Sequence, residues 1–312
     1  MVTADLIPAG LRELVVRHVP GPGMPEGGVW LEGLPRLVDN LLQDWDLQVD
    51  GAAMHGYSAL VLPVRREDGT PAVLKVVWPH EEGRDEHLAL RAWDGRGAVR
   101  LLAAAPARWA LLLERLDHTR DLGREPAIVA CEEIGTLLTR LDRPAPAWAR
   151  TLSDHLGQLV DDADRALAAH TAFPRRLLEQ GRALARDLAT EPDVDARLVH
   201  EDLHQENVLW RPDPGEWVAI DPHVVAGTPA YAVAPVLWNQ WDQVQRAHDP
   251  RVHLGLRVDI LCEAAGIDPD LGRSYAIVRM VRNALWTLAA PHPGTEHEVT
   301  QAVTIIKAMQ PA

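Results

Sequence analysis

One short stretch, HEDLHQENVLW from His200, combines histidine, carboxylate and amide side chains at two spacings that predict different chemistry. In an H-E-x-x-H pattern, His200 and His204 would bind zinc from one face of a helix, with Glu201 as the general base. In an H-x-D-L-x-x-x-N pattern, Asp202 and Asn207 would belong to the catalytic loop of a kinase. The segments on either side of the stretch distinguish the two interpretations.

Those flanking segments are β-like, which disfavours zinc. Residues four apart share a face only in a helix, but the ARLV that precedes His200 is short and β-like, and the VLW that follows Asn207 leads to Pro212 and Pro214. Residues 213–215 are typical of a turn, and EWVAID is typical of a returning strand. A strand, a loop and a hairpin favour the kinase interpretation over a zinc hydrolase.

Phosphoryl transfer requires charge neutralisation around the phosphates and little covalent work by the protein. We expect Asp202 to be the catalytic base that orients the acceptor hydroxyl and takes its proton. Asn207 and Asp221, which ends the strand WVAID, offer the hard oxygen ligands that Mg²⁺ prefers. The predicted hairpin would return Asp221 to the side of Asn207.

A lysine is also needed to bind the α- and β-phosphates of the nucleotide. Only Lys75 and Lys307 are lysines in this chain, and Lys75 stands in the β-rich run AVLKVV, as the lysine of V-A-I-K does. Glu86 on the next helix is its expected ion-pair partner. Glu81 and Glu82 are alternatives, although the dipole favours acidic residues at a helix start in any case.

Two further segments are candidates for contact with ATP. The chain has no G-x-G-x-x-G, but DGAAMHGYSALV places Gly56 and Ser58 before a strand. This segment is either a loop over the phosphates or an ordinary hairpin turn. Backbone groups from Glu114 to Leu116 are expected where two lobes join, next to adenine.

The predicted elements form two groups. Before residue 117 the pattern indicates two helices and five strands. The helices are 29–44 and EEGRDEHLALRAWDGRG. The strands are LQVDG, 57–64, 71–78, AVRLLAA and WALLLERL. After residue 117, helices are predicted at 124–141, 151–169 and 173–190, and a β-rich patch at 197–221. Three or four more helices are predicted from Tyr231 onward.

This order predicts an α+β, two-lobed, protein-kinase-like fold. Residues 1–116 would be a small β-rich nucleotide-binding lobe with one key helix and an N-terminal helical extension. Residues 117–312 would be a larger, mainly helical lobe with the catalytic loop and the acceptor site.

Composition narrows the class of protein. The 312 residues carry a formal charge of −14, and 47% are apolar. Such a surface repels nucleic acid and suits a cationic ligand, although many soluble enzymes are acidic without binding a cation. Two cysteines imply no disulfide framework. We see neither a secretory leader nor an apolar run long enough to span a membrane, so a cytoplasmic location is expected.

The segment after Asp221 leaves no room for the long activation loop of a protein kinase, which favours a small-molecule acceptor. Together, VHEDLHQENVLW, AIDPHVVAGTPAYAVAPVLWN, HGYSALVLPVRREDGTPAVLKV and RAWDGRGAVRLL resemble the aminoglycoside/hydroxyurea phosphotransferase family, which includes streptomycin 6-kinases. The resemblance covers residues 29–290. It implies Mg²⁺- and ATP-dependent phosphorylation of a hydroxyl on a small cationic antibiotic, hence antibiotic resistance, with His200 as a structural residue in the loop.

The sequence departs from that family at three positions. Relatives usually have glycine where Glu201 stands and aspartate where Thr228 and Ala232 stand. Glu201 would repel ATP, raise the pKa of Asp202, or point into solvent. The alternatives to an aminoglycoside kinase are therefore a weakened relative that binds nucleotide or ligand, or a kinase for another small molecule such as hydroxyurea.

A cationic acceptor would need carboxylates and flat surfaces in the helical lobe. Trp238, Trp241 and Asp242 are the candidates, with Glu263 and Glu298 as weaker ones. Helix packing would equally explain the tryptophans, and a solvated face would explain the acids.

Overall fold

The computed structural model describes residues 6–17, 20 and 24–311. Residues 1–5, where the segment examined for a secretory leader begins, lie outside this part of the chain. The chain forms two compact units. The first comprises residues up to Asp117 together with Arg211–Pro214, and the second comprises His118–Trp210 and residues from Gly215 onward.

The first unit is built on an antiparallel sheet. Its strands are β1 (Gln48–Val49), β2 (Met54–His55), β3 (Ala59–Arg65), β4 (Pro71–Val77), β5 (Leu101–Ala105) and β6 (Ala110–Glu114). They follow the order β1-β3-β4-β6-β5, and β2 also pairs with β3. The helices are α1 (Ala9–Arg17), α2 (Gly27–Asp44) and α3 (Glu86–Trp93).

The two faces of β4 have different partners because successive side chains of a strand point to opposite sides. Leu74 and Val76 belong to a buried apolar cluster that also contains Leu34 and Val38 of α2. Lys75 lies between them in sequence and pairs with Val61 across the ladder. Its side chain therefore leaves the sheet on the face opposite to this cluster.

The start of α3 differs from the prediction. Residues 81–85 form a turn and the helix begins at Glu86, so Glu81 and Glu82 precede the helix. The end agrees with the glycine-rich punctuation: Asp94 caps the helix in a left-handed conformation with φ of 48°, and Gly95 has φ of 73°.

Five further strands form two small sheets. They are β7 (Asp117–Asp121), β8 (Arg197–His200), β9 (Val208–Arg211), β10 (Glu216–Ala219) and β11 (Val224–Gly227). One sheet has the order β10-β9-β7, and β8 pairs antiparallel with β11. The sequence did not predict β7, because DHTRD has no apolar alternation.

The helices of the second unit are α4 (Ala127–Leu141), α5 (Leu152–Ala168), α6 (Arg175–Leu188), α7 (Pro235–Trp238), α8 (Trp241–Arg246), α9 (Pro250–Ala265), α10 (Pro269–Ala289) and α11 (Thr295–Met309). Five of them follow Tyr231, so the prediction of three or four was too low. The helices α7 and α8 are too short to show a helical period. Among residues 6–17, 20 and 24–311, no helix is long and apolar enough to cross a bilayer.

Candidate active site

His200 ends β8 and braces the loop that follows it. The side chain is fully buried; its Nε2–H donates to the carbonyl of Ile220 (3.1 Å), and its Nδ1 accepts from the amide of Asp202 (3.3 Å). Burial lowers the pKa of His200 to about 4, so the ring is neutral at physiological pH. The imidazole thereby links the strand end to the residue after β10.

This geometry is wrong for the zinc interpretation. The chain runs from a strand into a turn at His200, with no helix to place His200 and His204 on one face. Both ring nitrogens of His200 are engaged with backbone groups. Within the described part of the chain, no group of three or more histidine, cysteine or acidic side chains could hold a metal ion.

Asp202 is held as a carboxylate by its neighbours in the loop. The side-chain Nδ2 of Asn207 donates to the backbone carbonyl of Asp202 (2.9 Å) and lies 3.4 Å from Asp202 Oδ2. Nε2 of His204 lies 3.6 Å from the same Oδ2. Burial raises the pKa of Asp202, but the neighbouring His204 acts more strongly in the opposite direction, and the net shift is downward. An ionised oxygen is thus available to accept a hydroxyl proton.

The kinase interpretation of the sequence gives His204 no role, but the structure places it beside Asp202. It caps the short 3₁₀ helix Gln205–Asn207 by accepting from the amide of Glu206 at Nδ1 (3.2 Å), which leaves Nε2–H to face Asp202. The only signal in the sequence was its place two residues after the expected base, and the zinc pattern had given that histidine another role.

A backbone hydrogen bond brings Asn207 close to the residue that precedes Asp221. The amide of Ile220 donates to the carbonyl of Asn207 (2.9 Å), and Asp221 follows directly in a left-handed conformation with φ of 52°. Because the side-chain Nδ2 of Asn207 faces Asp202, the side-chain Oδ1 of Asn207 points away from that residue. One carboxylate and one amide oxygen suit Mg²⁺, which completes its shell with waters and substrate phosphates rather than with a full protein cage.

In the first unit, Lys75 and Glu86 form a buried ion pair. Lys75 Nζ lies 2.7 Å and 2.8 Å from the two carboxylate oxygens, and the side chains are 8% and 3% exposed. Because α3 begins at Glu86, its carboxylate stands at the positive end of the helix dipole. The sequence prediction preferred this pair over Glu81 and Glu82.

Gly56 and Ser58 lie in the turn of the β2–β3 hairpin. The amide of Gly56 donates to Ala59 O (3.0 Å), and the Ser58 carbonyl accepts from the amide of Trp78 (2.7 Å). Tyr57, between them, is 69% exposed. A side chain at Gly56 would meet no atom within 4 Å, so packing does not explain the glycine.

Glu114 ends β6, and Leu116 lies between β6 and β7. The amide of Glu114 already donates to Arg100 O (3.0 Å), so this N–H is not available to adenine. Its carboxylate accepts from the amide of Arg100 (2.7 Å) and from Nε of the buried Arg211 (3.1 Å). The sequence gave no sign of the Arg211 contact, which joins residues 97 positions apart.

The acceptor candidates fall into two groups. Trp238 is half-buried at the end of α7, 5.7 Å from the guanidinium of Arg279, which also contacts Glu201 of the catalytic loop (3.3 Å). Trp241 begins α8, and the exposed Asp242 pairs with Arg246 one turn later. The two weaker candidates differ: Glu263 is exposed, and Glu298 accepts a hydrogen bond from Thr287.

Glu201 behaves differently from two of these expectations. It is 4% exposed and faces Arg150, Arg279 and Arg282, so it does not point into solvent. The net shift of the Asp202 pKa is downward rather than upward. Of the other departures, Thr228 precedes the 3₁₀ helix Pro229–Val233 without a side-chain capping bond, and Ala232 is fully buried.

Comparison with known proteins identifies the family. A model of the aminoglycoside/hydroxyurea antibiotic resistance kinases matches residues 44–290. The chain belongs to this family. It is 39% identical over 289 residues to a streptomycin 6-kinase of Streptomyces glaucescens, covering 91% of this chain and 92% of that protein. It is 41% identical over 288 residues to a hydroxyurea phosphotransferase of Kitasatospora aureofaciens, covering 90% and 79%.

Solved structures show the same fold. An aminoglycoside phosphotransferase in ternary complex with ADP and hygromycin B superposes with a TM-score of 0.58 at 15% identity, covering 88% of this chain and 99% of that one. As a member of the antibiotic resistance kinases, the chain is a small-molecule phosphotransferase with a kinase-like fold. The expected family, the α+β kinase-like fold and the enzyme class are thereby confirmed.

Proposed function

We propose that this antibiotic resistance kinase transfers the γ-phosphoryl group of ATP to a hydroxyl of a small acceptor, with Mg²⁺ bound at Asn207 and Asp221. The observation that supports this most is the catalytic loop itself. An ionised Asp202 is fixed beside Asn207. The backbone carbonyl of Asn207 accepts a hydrogen bond from Ile220, the residue before Asp221.

Asp202 has two tasks in this mechanism. Its carboxylate accepts a hydrogen bond from the acceptor hydroxyl, which aligns the oxygen lone pair with the γ-phosphorus, and it takes the proton as the new P–O bond forms and the bond to ADP breaks. The 30% exposure of its side chain leaves room for a hydroxyl. Nε2–H of His204 keeps the carboxylate charged until the proton moves.

The other groups neutralise and position phosphate charge. Lys75, oriented by Glu86, binds the α- and β-phosphates. When Mg²⁺ is bound, it offsets the negative charge of the phosphates, with Asn207 and Asp221 as its protein ligands. The Gly56–Ser58 turn and the Glu114–Leu116 segment are proposed to contact the phosphates and adenine.

For the acceptor we propose a streptomycin-like aminoglycoside, because relatives over nine tenths of this chain carry that name. Trp238, Trp241 and Asp242 are the proposed contacts. Hydroxyurea is the second acceptor to test, since a relative of similar identity is named for it.

The test is ADP release from Mg-ATP with and without streptomycin, other aminoglycosides and hydroxyurea, followed by mass analysis of the acceptor. We expect acceptor-stimulated ADP release and a product heavier by about 80 Da, the mass of the HPO₃ group that moves. Absence of both with every acceptor contradicts the proposal. The Asp202→Ala variant is the matched control, since it removes only the proposed base.

The weakened-relative alternative attributes poor turnover to Glu201, Thr228 and Ala232. The arginines around Glu201 speak against interference by this carboxylate. We expect no gain from Glu201→Gly combined with Thr228→Asp and Ala232→Asp, measured as kcat. A higher kcat in this triple variant would favour the alternative.

A further inference from the structure

Glu201 is surrounded by three arginine side chains from two separate segments. Its carboxylate lies 3.3 Å from Nη1 of Arg279, 3.5 Å from Nη1 of Arg282 and 3.7 Å from Nη2 of Arg150. Arg279 and Arg282 lie on α10, three positions apart and hence on the same side of that helix, while Arg150 precedes α5. Three guanidinium groups thus face one carboxylate.

The pKa of Glu201 reflects its burial and the neighbouring arginines. Burial raises the pKa of Glu201, but Arg279 and Arg282 together act more strongly and bring it to about 2. Burial lowers the pKa of His155 to about 4, so that ring is neutral. Tyr231 completes the set, with its hydroxyl 2.9 Å from Nη1 of Arg282.

Arg279 is the most buried of the three arginines that face Glu201. It is 6% exposed, its Nε has no hydrogen-bond partner, and its guanidinium lies 4.5 Å from the ring centre of Tyr231. A buried guanidinium with an unsatisfied donor is costly unless an anion compensates it. Glu201 is the anion that contacts it.

Glu201 is bonded directly to the proposed base, Asp202, and its own amide donates to the carbonyl of His223 (2.8 Å). The contacts of His200, His204 and Asn207 with Asp202 all lie within the loop and the adjoining hairpin. The ion pairs to α10, at separations of 78 and 81 residues, connect the loop to the helical part of the unit.

We propose that Glu201 is a positioning residue, an internal anion that anchors the catalytic loop to Arg150, Arg279 and Arg282 and so fixes the place of Asp202. This role rests on the proposed phosphotransferase function. Without the carboxylate, three cations would face one another in a poorly solvated space, and their repulsion would displace the loop. A displacement of about 1 Å at a catalytic group can cost about 100-fold in rate.

The test compares Glu201→Gln, which keeps the shape and removes the charge, with Glu201→Ala, which leaves space for a small anion. Both are assayed for phosphoryl transfer with the acceptor found for the wild type. We expect kcat to fall about 10- to 100-fold while KM for ATP stays within about twofold, because Asp202, the neighbour of Glu201, acts on transfer rather than on nucleotide binding. Glu206→Ala, an exposed glutamate in the same loop, should retain wild-type kcat.

Chemical rescue separates positioning from a loss of folding. We expect acetate to raise both kcat and Tm of Glu201→Ala saturably, and we expect neither acetamide nor chloride at equal ionic strength to do so. Should the alanine variant fail to fold, Glu201→Gln still tests the kcat. Wild-type kcat in the glutamine variant, or acetate having no more effect than acetamide, would overturn the role.

The failure of the proposed function is distinguished on the wild type alone. A wild-type protein that transfers no phosphoryl group to any acceptor refutes the function, and this positioning role with it. A wild type that is active, accompanied by a fully active Glu201→Gln, refutes only the positioning role.

Discussion

The Lys75–Glu86 pair allows stability and nucleotide use to be separated. In Glu86→Gln, the ammonium of Lys75 would lose the carboxylate that contacts it at 2.7 Å and 2.8 Å in a site where both side chains are less than a tenth exposed. Removing one member of a buried pair typically costs about 3–5 kcal/mol, because the other charge stays out of water. Loss of a proton from the Lys75 ammonium in this variant would reduce the destabilisation, because a neutral amine is less costly to bury.

The assay is chemical unfolding followed by circular dichroism, for Glu86→Gln and for the double variant Lys75→Met with Glu86→Gln. The double variant should recover most of the lost unfolding free energy, because it buries no charge. Glu179→Gln is the matched control: its ion pair with Arg175 is nearly as short, at 2.9 Å, but the side chains are 70% and 45% exposed. We expect it to change the unfolding free energy by less than about 1 kcal/mol.

ATP binding should follow the opposite pattern. Neither the single nor the double variant should bind ATP normally, although the double variant folds well, because the lysine is misplaced in one and absent in the other. Calorimetric titration with ATP measures this. The reasoning is refuted if Glu86→Gln is no less stable than Glu179→Gln, or if the double variant keeps wild-type affinity for ATP.

Three further outcomes are expected. Asp202→Ala should abolish transfer in the ADP-release assay while ATP affinity by titration stays near wild type; full activity would show that another group is the base. Chelation by EDTA should stop transfer, Mg²⁺ should restore it, and Asn207→Ala and Asp221→Ala should each raise the Mg²⁺ concentration needed for half-maximal rate; an unchanged Mg²⁺ dependence in both variants would refute their assignment. Glu201, with a pKa of about 2 against an ordinary 4.5, should contribute about 3 kcal/mol to unfolding free energy, fully present above pH 4.5 and lost as pH falls toward 2. The stability difference between wild type and Glu201→Gln should therefore shrink over that range, and a constant difference from pH 6 to pH 2 would contradict the shift.

Local patterns determined much of the fold. The runs 57–64 and 71–78 are rich in β-forming residues, and a DG turn joins them, so β3 and β4 were predicted to within a few residues. The long helices α4, α5 and α6 follow from their apolar period. The elements that the sequence missed include β2, β7, β11, α7 and α8, which are short, and tertiary contacts rather than local preference define them.

The types and order of the candidate site residues were also readable from the sequence. Residues close in the chain, such as Asp202 and Asn207, must lie near each other, and the hairpin that brings Asp221 back is encoded by its own turn. These assignments remain predictions about chemistry, to be tested by the variants above.

Only the tertiary structure decided the surroundings of Glu201. Its neighbour Asp202 could be assigned a role from the motif, but whether the Glu201 carboxylate faces phosphate, solvent or protein depends on side chains distant in sequence. The structure brings Arg150, Arg279 and Arg282 to it. A charge has no fixed meaning in sequence, because its energy depends on the other charges and on the solvent within a few ångströms, and the packing of α5 and α10 sets both.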